Sequence, residues 1–286
     1  MIRFAIEEDL DRIKELWNES FNYDDFAKWY FENIFDIDNV LVYELDNEVV
    51  AALQRIPYHI KGIGEATYIY GASTAKEHRN KGIMSKLLAY SEILDMASGV
   101  DAIFLVPENE ALFTFYEKKG YNNYFYKYSH DNYKVNNQND GQYLSLIDIS
   151  KKNILKWDEF ALDMIDVYIK ANGNSNYIIR NQKMFVSQIS MHVETGGTVY
   201  AFYNNKNNQM IGYAFGYVEE NVFEISELAL YNMTYYVNAT ELLKKKMGYL
   251  KVLNLLNGNI KVKYGCIKML QKSLNVNKII INLVYD

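Results

Sequence analysis

Apolar positions recur along this chain in two alternating rhythms, of period two and of period near 3.6, and the alternation predicts a mixed α/β fold. Arg3 to Ile6 reads as a short strand. Leu10, Ile13, Leu16 and Trp17 then fall at helical spacing behind Glu8-Asp9, an acidic pair suited to a helix N-terminus. A second helix is expected over Asp24 to Ile34, where Phe26, Trp29, Tyr30 and Phe31 point in too many directions for one narrow core stripe, so some of them should face a cleft. Val40 to Leu45 and Val49 to Ile56 flank the polar turn Asp46-Asn47-Glu48, the pattern of a hairpin. Tyr58 to Ile63 and Thr67 to Thr74 form another pair around Gly64-Glu65, followed by a helix over Ser85 to Met96 and a buried strand over Ala102 to Val106.

Asp131 to Gln142, with its run Asn136-Asn137-Gln138-Asn139-Asp140-Gly141, has no apolar period and reads as a linker. Beyond it the pattern begins again. Helices are expected over Asp158 to Ala171 and around Asn181 to Ile189, then strands over Thr198 to Tyr203, Met210 to Val218 and Val222 to Leu230, then a helix over Val237 to Lys246. The helix, helix, hairpin order of the first half is repeated. Two tandem domains are therefore expected, residues 1–130 and 144–286, joined by 131–143, with residues 278–286 as a final strand.

Composition narrows the classes. A chain of 286 residues with 49% apolar side chains can fill one large core or two medium ones. The 26 tyrosines beside only 2 prolines read as the imprint of an AT-rich coding sequence and carry no functional weight. A single cysteine, Cys266, excludes an internal disulfide framework, and His59, His78, His130 and His192 lack metal-ligand spacing, so no metal site is expected. The N-terminus lacks a signal-peptide pattern and no apolar run approaches a membrane span, which points to the cytoplasm and to no membrane partner. A formal net charge of −6 argues against nucleic acid as a partner and slightly favours a cationic one.

Candidate chemistry sits at Arg79-Asn80-Lys81-Gly82-Ile83-Met84, between the strand ending at Thr74 and the helix that follows. At such a junction the first helical amides have no intrahelical partner and the helix dipole adds positive charge, so a pyrophosphate can dock there. Gly82 permits close backbone approach; Arg79 and Lys81 add mobile charge. Lys244-Lys245-Lys246-Met247-Gly248, in contrast, ends a helix, where the dipole repels anions.

About thirty residues after the first loop come Val106-Pro107-Glu108-Asn109 and then Tyr116-Glu117-Lys118-Lys119-Gly120-Tyr121. Together the two segments resemble the Gcn5-related N-acetyltransferase (GNAT) superfamily, with its R-x-x-G-x-(G/A) loop and its N-x-x-x-x-x-x-Y-E-K-x-G-(F/Y) signature. The departure is Met84, which stands where the family has Gly or Ala. The resemblance implies an α/β (α+β) fold of two tandem GNAT-like domains, each a mixed central sheet flanked by helices, the second degenerate because it lacks the loop. It resembles the enhanced-intracellular-survival type of tandem GNAT protein, without room in this length for that group's third domain.

What the resemblance implies for chemistry is acetyl-CoA-dependent N-acetyl transfer to the primary amine of a small molecule, peptide or amino sugar. The acetyl-CoA would contact Arg79, Asn80, Lys81, Gly82, Ile83 and Met84 through its pyrophosphate. Asn109 would lie near pantetheine, and the strand residues Ala72, Ser73 and Thr74 would offer amides near the thioester, Ser73 with a catalytic part in steadying the oxyanion. Tyr116 would give its phenolic proton to the departing thiolate. The second domain would shape the acceptor site. Acetyl transfer also needs a base, and Glu44, Glu65, Glu227 and the terminal Asp286 are all open, since no spacing selects one. Two other readings stand beside this one: a transferase that uses a different acyl donor, and a non-catalytic acyl-CoA-binding or interaction protein, which Met84 favours.

Overall fold

The structure, a computed structural model, describes residues 1–129, 144–256, 258, 260–271 and 279–280. The expected linker at 131–143 and Asp286 lie outside the described residues.

Strand β1 (Ile2–Phe4) leads through a 3-10 turn into helices α1 (Leu10–Phe21) and α2 (Asp25–Asn33). Asp24 caps α2, its carboxylate accepting the amide of Ala27 at 2.9 Å, which satisfies one of the orphan donors of the first turn. Then come β2 (Val40–Leu45), β3 (Glu48–Ile60), β4 (Gly64–Thr74), α3 (Ile83–Ala97), β5 (Ala102–Leu105), α4 (Glu110–Glu117) and β6 (Asn123–Ser129). The β2–β3 turn is made by Asp46 and Asn47 at φ 51° and 65°, the left-handed pair that matches the strand twist of a tight hairpin. In place of two separate strands, β3 runs unbroken through Pro57. Its pairing with β2 ends at Gln54, so Pro57 sits where that side of β3 is an edge and a missing N–H is tolerated.

The second half contains β7 (Leu144–Asp148), α5 (Trp157–Asn172), β8 (Asn176–Tyr177), α6 (Gln182–Glu194), β9 (Thr198–Asn204), β10 (Gln209–Glu219), β11 (Val222–Leu230), α7 (Tyr236–Met247), β12 (Tyr249–Val252), β13 (Ile260–Met269) and β14 (Ile279–Ile280). β7, β9, β10, β11 and β12 form one sheet, and β14 pairs with β8. Gly248, at φ 86°, ends α7 as a left-handed stop after the three lysines.

The division into units departs from the contiguous one expected. One compact unit holds Met1–Phe125 together with the described residues 264–271; the other holds Tyr126–Lys263 and β14. The first sheet has the order β1-β2-β3-β4-β5-β13-β6 among the described residues. β13 is thus a late segment of the chain placed antiparallel to β5, from Cys266 opposite Leu105 to Met269 opposite Ala102. Lys268 fastens it further, donating to the carbonyl of Lys119 and to Glu92, at 2.9 and 2.8 Å.

Alternation along the strands builds two layers on the first sheet. Leu41, Leu53, Ile69, Ile103 and Leu105 pack with Leu87, Leu88 and Phe113 of α3 and α4. Val40, Val42 and Ala52 face Ile13 and Leu16 of α1. In the second unit Met164, Tyr168, Phe185 and Ile189 cover one sheet face, while Leu243 of α7 joins Phe202, Phe223 and Ile225 on the other.

The second core also holds polar groups. Arg180 makes a two-pronged ion pair with Glu227, with both N···O distances 2.9 Å, and Tyr213 donates to the same carboxylate at 2.7 Å. Glu227, considered as a base on the sequence, is therefore buried and engaged. Close by, His192 hydrogen-bonds the carbonyl of Gln188, and burial pushes its pKa down from 6.5 to about 4. The neutral form is thus favoured on folding, so its contribution to stability is complete above pH 6.5 and is lost as pH falls from 6.5 to 4. At about 1.36 kcal/mol per unit the loss is about 3 kcal/mol. Urea denaturation between pH 7 and pH 4 should show the decline, and His192→Gln should flatten that part of the profile; an unchanged profile in the variant would show that His192 is not its source.

Candidate active site

β4 and β5 begin side by side and then part. Parallel pairing covers Ala66–Ala102, Thr67–Ile103 and Tyr68–Phe104 only, whereas β4 runs on to Thr74. On its other edge β4 carries a bulge: Gln54 opposes Tyr70 and Ala52 opposes Ser73, so Gly71 and Ala72 together face Leu53. Gly71 adopts φ 57°, and a Cβ there would stand 2.7 Å from the Gln54 amide nitrogen and 2.8 Å from the Trp17 ring. Only glycine fits that contact. The bulge was legible in principle, because an isolated glycine in a strand pattern signals one.

The gap opens into a cleft of about 440 Å³ within the first unit. Ala72 and Thr74 of β4, the loop residues His78, Arg79, Asn80 and Gly82, the start of α3 from Ile83 to Ser85, and Glu108, Ala111, Leu112, Phe115 and Tyr116 line it, with Ser20 and Phe21 from the end of α1. The segment from β4 to α3 thus brings together most of the residues singled out in the sequence.

The loop turns by two left-handed residues, Asn80 at φ 62° and Gly82 at φ 75°. Gly82 stands immediately before α3, whose first internal bond from outside the helix runs from the Lys86 amide to the Gly82 carbonyl at 3.1 Å. No side chain caps this end among the described residues. The amides of Ile83, Met84 and Ser85 therefore lack intrahelical partners, and the dipole adds to their pull on an anion. Arg79 is less mobile than expected. Its Nε donates to the Thr74 carbonyl at 2.9 Å, and its Nη2 reaches the Glu19 carbonyl and Ser20 Oγ at 3.4 Å, tying the loop to α1. Met84 lines the cleft while packing against the core that contains Leu87 and Leu88.

Tyr116 is buried on α4, edge-on to Phe115 and Tyr121, and lines the cleft. Burial first, and the neighbouring Cys266 second, push its phenol above the ordinary tyrosine value of 10, so the hydroxyl keeps its proton at neutral pH.

Four groups considered on the sequence stand apart from the cleft lining. Ser73 is buried opposite Ala52 and does not line the cleft, in keeping with strand alternation between Ala72 and Thr74. Asn109 also stays out of the lining; its side chain caps α4 by accepting the Leu112 amide at 3.1 Å. Lys81 is exposed and does not line the cleft. Among the carboxylates, Glu44 pairs with Arg3 at 2.7 Å, Glu65 is exposed and bonded to His59, and Glu227 is locked to Arg180, so none of the three stands in the cleft. The groups missed by sequence reasoning are His78 and Glu108. His78 was weighed only as a metal ligand; its position beside Arg79 was the available signal. Among the described residues no cluster of three His, Cys, Asp or Glu side chains is placed to hold a metal ion, and no helix is long and apolar enough to cross a membrane.

Among the described residues the second unit lacks this opening. β11 and β12 stay paired from Val222–Tyr249 to Ile225–Val252 and are still bridged at Leu228–Leu255. A 3-10 turn over Met233–Tyr235, capped by Asn232, stands between β11 and α7 in place of a glycine loop.

A mixed sheet that parts beside a glycine loop, at the open N-terminus of a helix, defines a class. Residues 1–123 match the family model described as an acetyltransferase (GNAT) domain, and the fold is that of two tandem GNAT-like units. A probable N-acyltransferase of unknown function from Enterococcus faecalis is similar in structure at 13% identity, with a TM-score of 0.68 over 95% of this chain and 72% of that one. Eis1 from Mycobacterium abscessus, at 9% identity, gives 0.64 over 95% and 74%. A tandem GNAT protein from the clavulanic acid biosynthesis pathway, at 11% identity, gives 0.52 over 96% and 99%. At these identities the likeness is one of fold. No curated protein matches the chain in sequence.

Proposed function

We propose that the chain is an acetyl-CoA-dependent N-acetyltransferase acting on the primary amine of a small molecule, peptide or amino sugar. The observation that carries this reading is the cleft itself: parted strands, unpaired amides of Ile83, Met84 and Ser85, and a protonated Tyr116 share one wall system. In this reading the pyrophosphate rests on the α3 amides and the donor runs along the exposed edge of β4. Free amides of β4 near Ala72 and Thr74 offer hydrogen bonds to a developing oxyanion, and Tyr116 returns a proton to the leaving thiolate. The amine attacks the thioester carbon, the carbon–sulfur bond breaks, and one proton leaves the amine. One donor molecule per chain is expected, since the second unit keeps β11 and β12 together.

Two measurements test the proposal. Release of free thiol from acetyl-CoA with a panel of amines tests turnover. Calorimetric titration tests the donor site: one acetyl-CoA should bind per chain, and Gly82→Asp, which sets a carboxylate at the anion end and imposes a side chain on φ 75°, should weaken binding at least about tenfold. Equal affinity in wild type and variant, or two sites per chain, would refute the placement.

A second reading is a binder without turnover. The observation in its favour is that Glu44, Glu65 and Glu227 all lie outside the cleft, which leaves the amine's base unassigned. Donor binding without thiol release across the amine panel would favour it.

A further inference from the structure

His78 ends the 3-10 turn Lys76–His78 that joins β4 to the glycine loop, and it lines the cleft directly before Arg79. Neither ring nitrogen is committed. Nδ1 is enclosed without a hydrogen-bond partner, and Nε2 is 3.9 Å from the Glu77 carboxylate, beyond hydrogen-bond range. A buried ring nitrogen without a partner is costly to keep, and here the ring stands beside amides suited to phosphate. Arg79 has meanwhile given its Nε and Nη2 to Thr74, Glu19 and Ser20. The loop's expected cation is thus largely used in holding the loop, while a group able to acquire charge stands next to it.

We infer that His78 contacts the donor's phosphates and takes up a proton as they bind. This rests on the reading of the cleft as a CoA site and goes beyond it by assigning a side chain that the GNAT loop signature does not contain. The surrounding charges are consistent with an uptake driven by the ligand. Lys76 and Glu77 flank His78 on its own turn, Glu19 of α1 accepts the Lys76 amide, Arg79 follows in the loop, and Glu108 and Tyr116 line the same cleft. Carboxylates and cations are mixed around the ring, and a phosphate group would tip that balance toward imidazolium.

Titration calorimetry of the whole chain with coenzyme A at pH 6, 7 and 8, each in two buffers of different ionisation heat, reads affinity and proton uptake together. Wild type is expected to bind roughly fivefold or more tightly at pH 6 than at pH 8, the scale of one charge-assisted contact, with net uptake at pH 7. His78→Asn, which keeps a polar group near the Nδ1 position, and His78→Ala should bind more weakly at pH 6 and show a flatter profile. Thermal melts establish that each is folded, and either folded variant suffices. The 3′-phosphate of CoA itself titrates near pH ~6, so 3′-dephospho-CoA is run in parallel. If the His78-dependent uptake disappears with it, the contact is to the 3′-phosphate; if it persists, the contact is to the diphosphate, and both results support the assignment. Variants with wild-type affinity, pH slope and proton uptake would overturn the role of His78 and leave the CoA site standing. Failure of the wild type to bind CoA at any of the three pH values would overturn the CoA reading and this inference with it.

Discussion

Glu227→Gln is expected to destabilise the second unit by about 3–5 kcal/mol, the largest loss foreseen for a single side chain outside the cleft. The change removes a charge and almost no volume, so packing is not the cause. It leaves the Arg180 guanidinium above the Tyr168 ring at 4.7 Å and near Phe185 at 5.5 Å, with the side-chain oxygen Oε1 of Gln188 at 3.2 Å and the new amide as neutral acceptors in place of the carboxylate. Tyr213 also loses a charged acceptor. The double variant Arg180→Met with Glu227→Leu should recover most of the loss, because a well-packed apolar pair avoids the desolvation that the ions incur. Urea denaturation of the wild type and both variants checks this. A single variant within about 0.5 kcal/mol of wild type would mean that the pair is reached by water.

Tyr116→Phe is expected to lower kcat by about a hundredfold with the best amine acceptor and to leave acetyl-CoA affinity nearly unchanged. The ring contributes packing against Phe115 and Tyr121, which phenylalanine retains. What disappears is one proton donor on a residue that lines the cleft. Steady-state kinetics beside calorimetry separates the two effects: unchanged kcat would remove Tyr116 from the reaction and hand thiolate protonation to water.

Elements whose signals are local were readable from the sequence. β2 was legible to its ends because a polar turn and an abrupt apolar run bound it, whereas the helix read over Ser85 to Met96 extends from Ile83 to Ala97 as α3. The glycine loop before α3 was legible because glycine at a strand-to-helix junction has a mechanical reason to be there. Side-chain commitments were not. Asn109 as a helix cap and Arg79 as a loop tie depend on distances to Leu112 and to the end of α1, which spacing alone does not encode. Glu227 has the sequence surroundings of a surface carboxylate on a strand, and only the arrival of Arg180 from 47 residues away makes it a core residue. The placement of β13 was illegible for the same reason, since no local pattern states which distant strand a segment will join.

That strand sets an order of events during synthesis. When residue 129 has been made, the first sheet has β5 and β6 but nothing to lie between them, and it stays incomplete until residue 269 follows. At ~5–20 residues per second the interval is roughly 7–30 s, during which the edge of β5 is open to unwanted pairing. The segment 144–256, in contrast, carries all five strands of its own sheet and has them in hand earlier. Of the two large sheets, the one that begins first is therefore the one whose described strands are completed last.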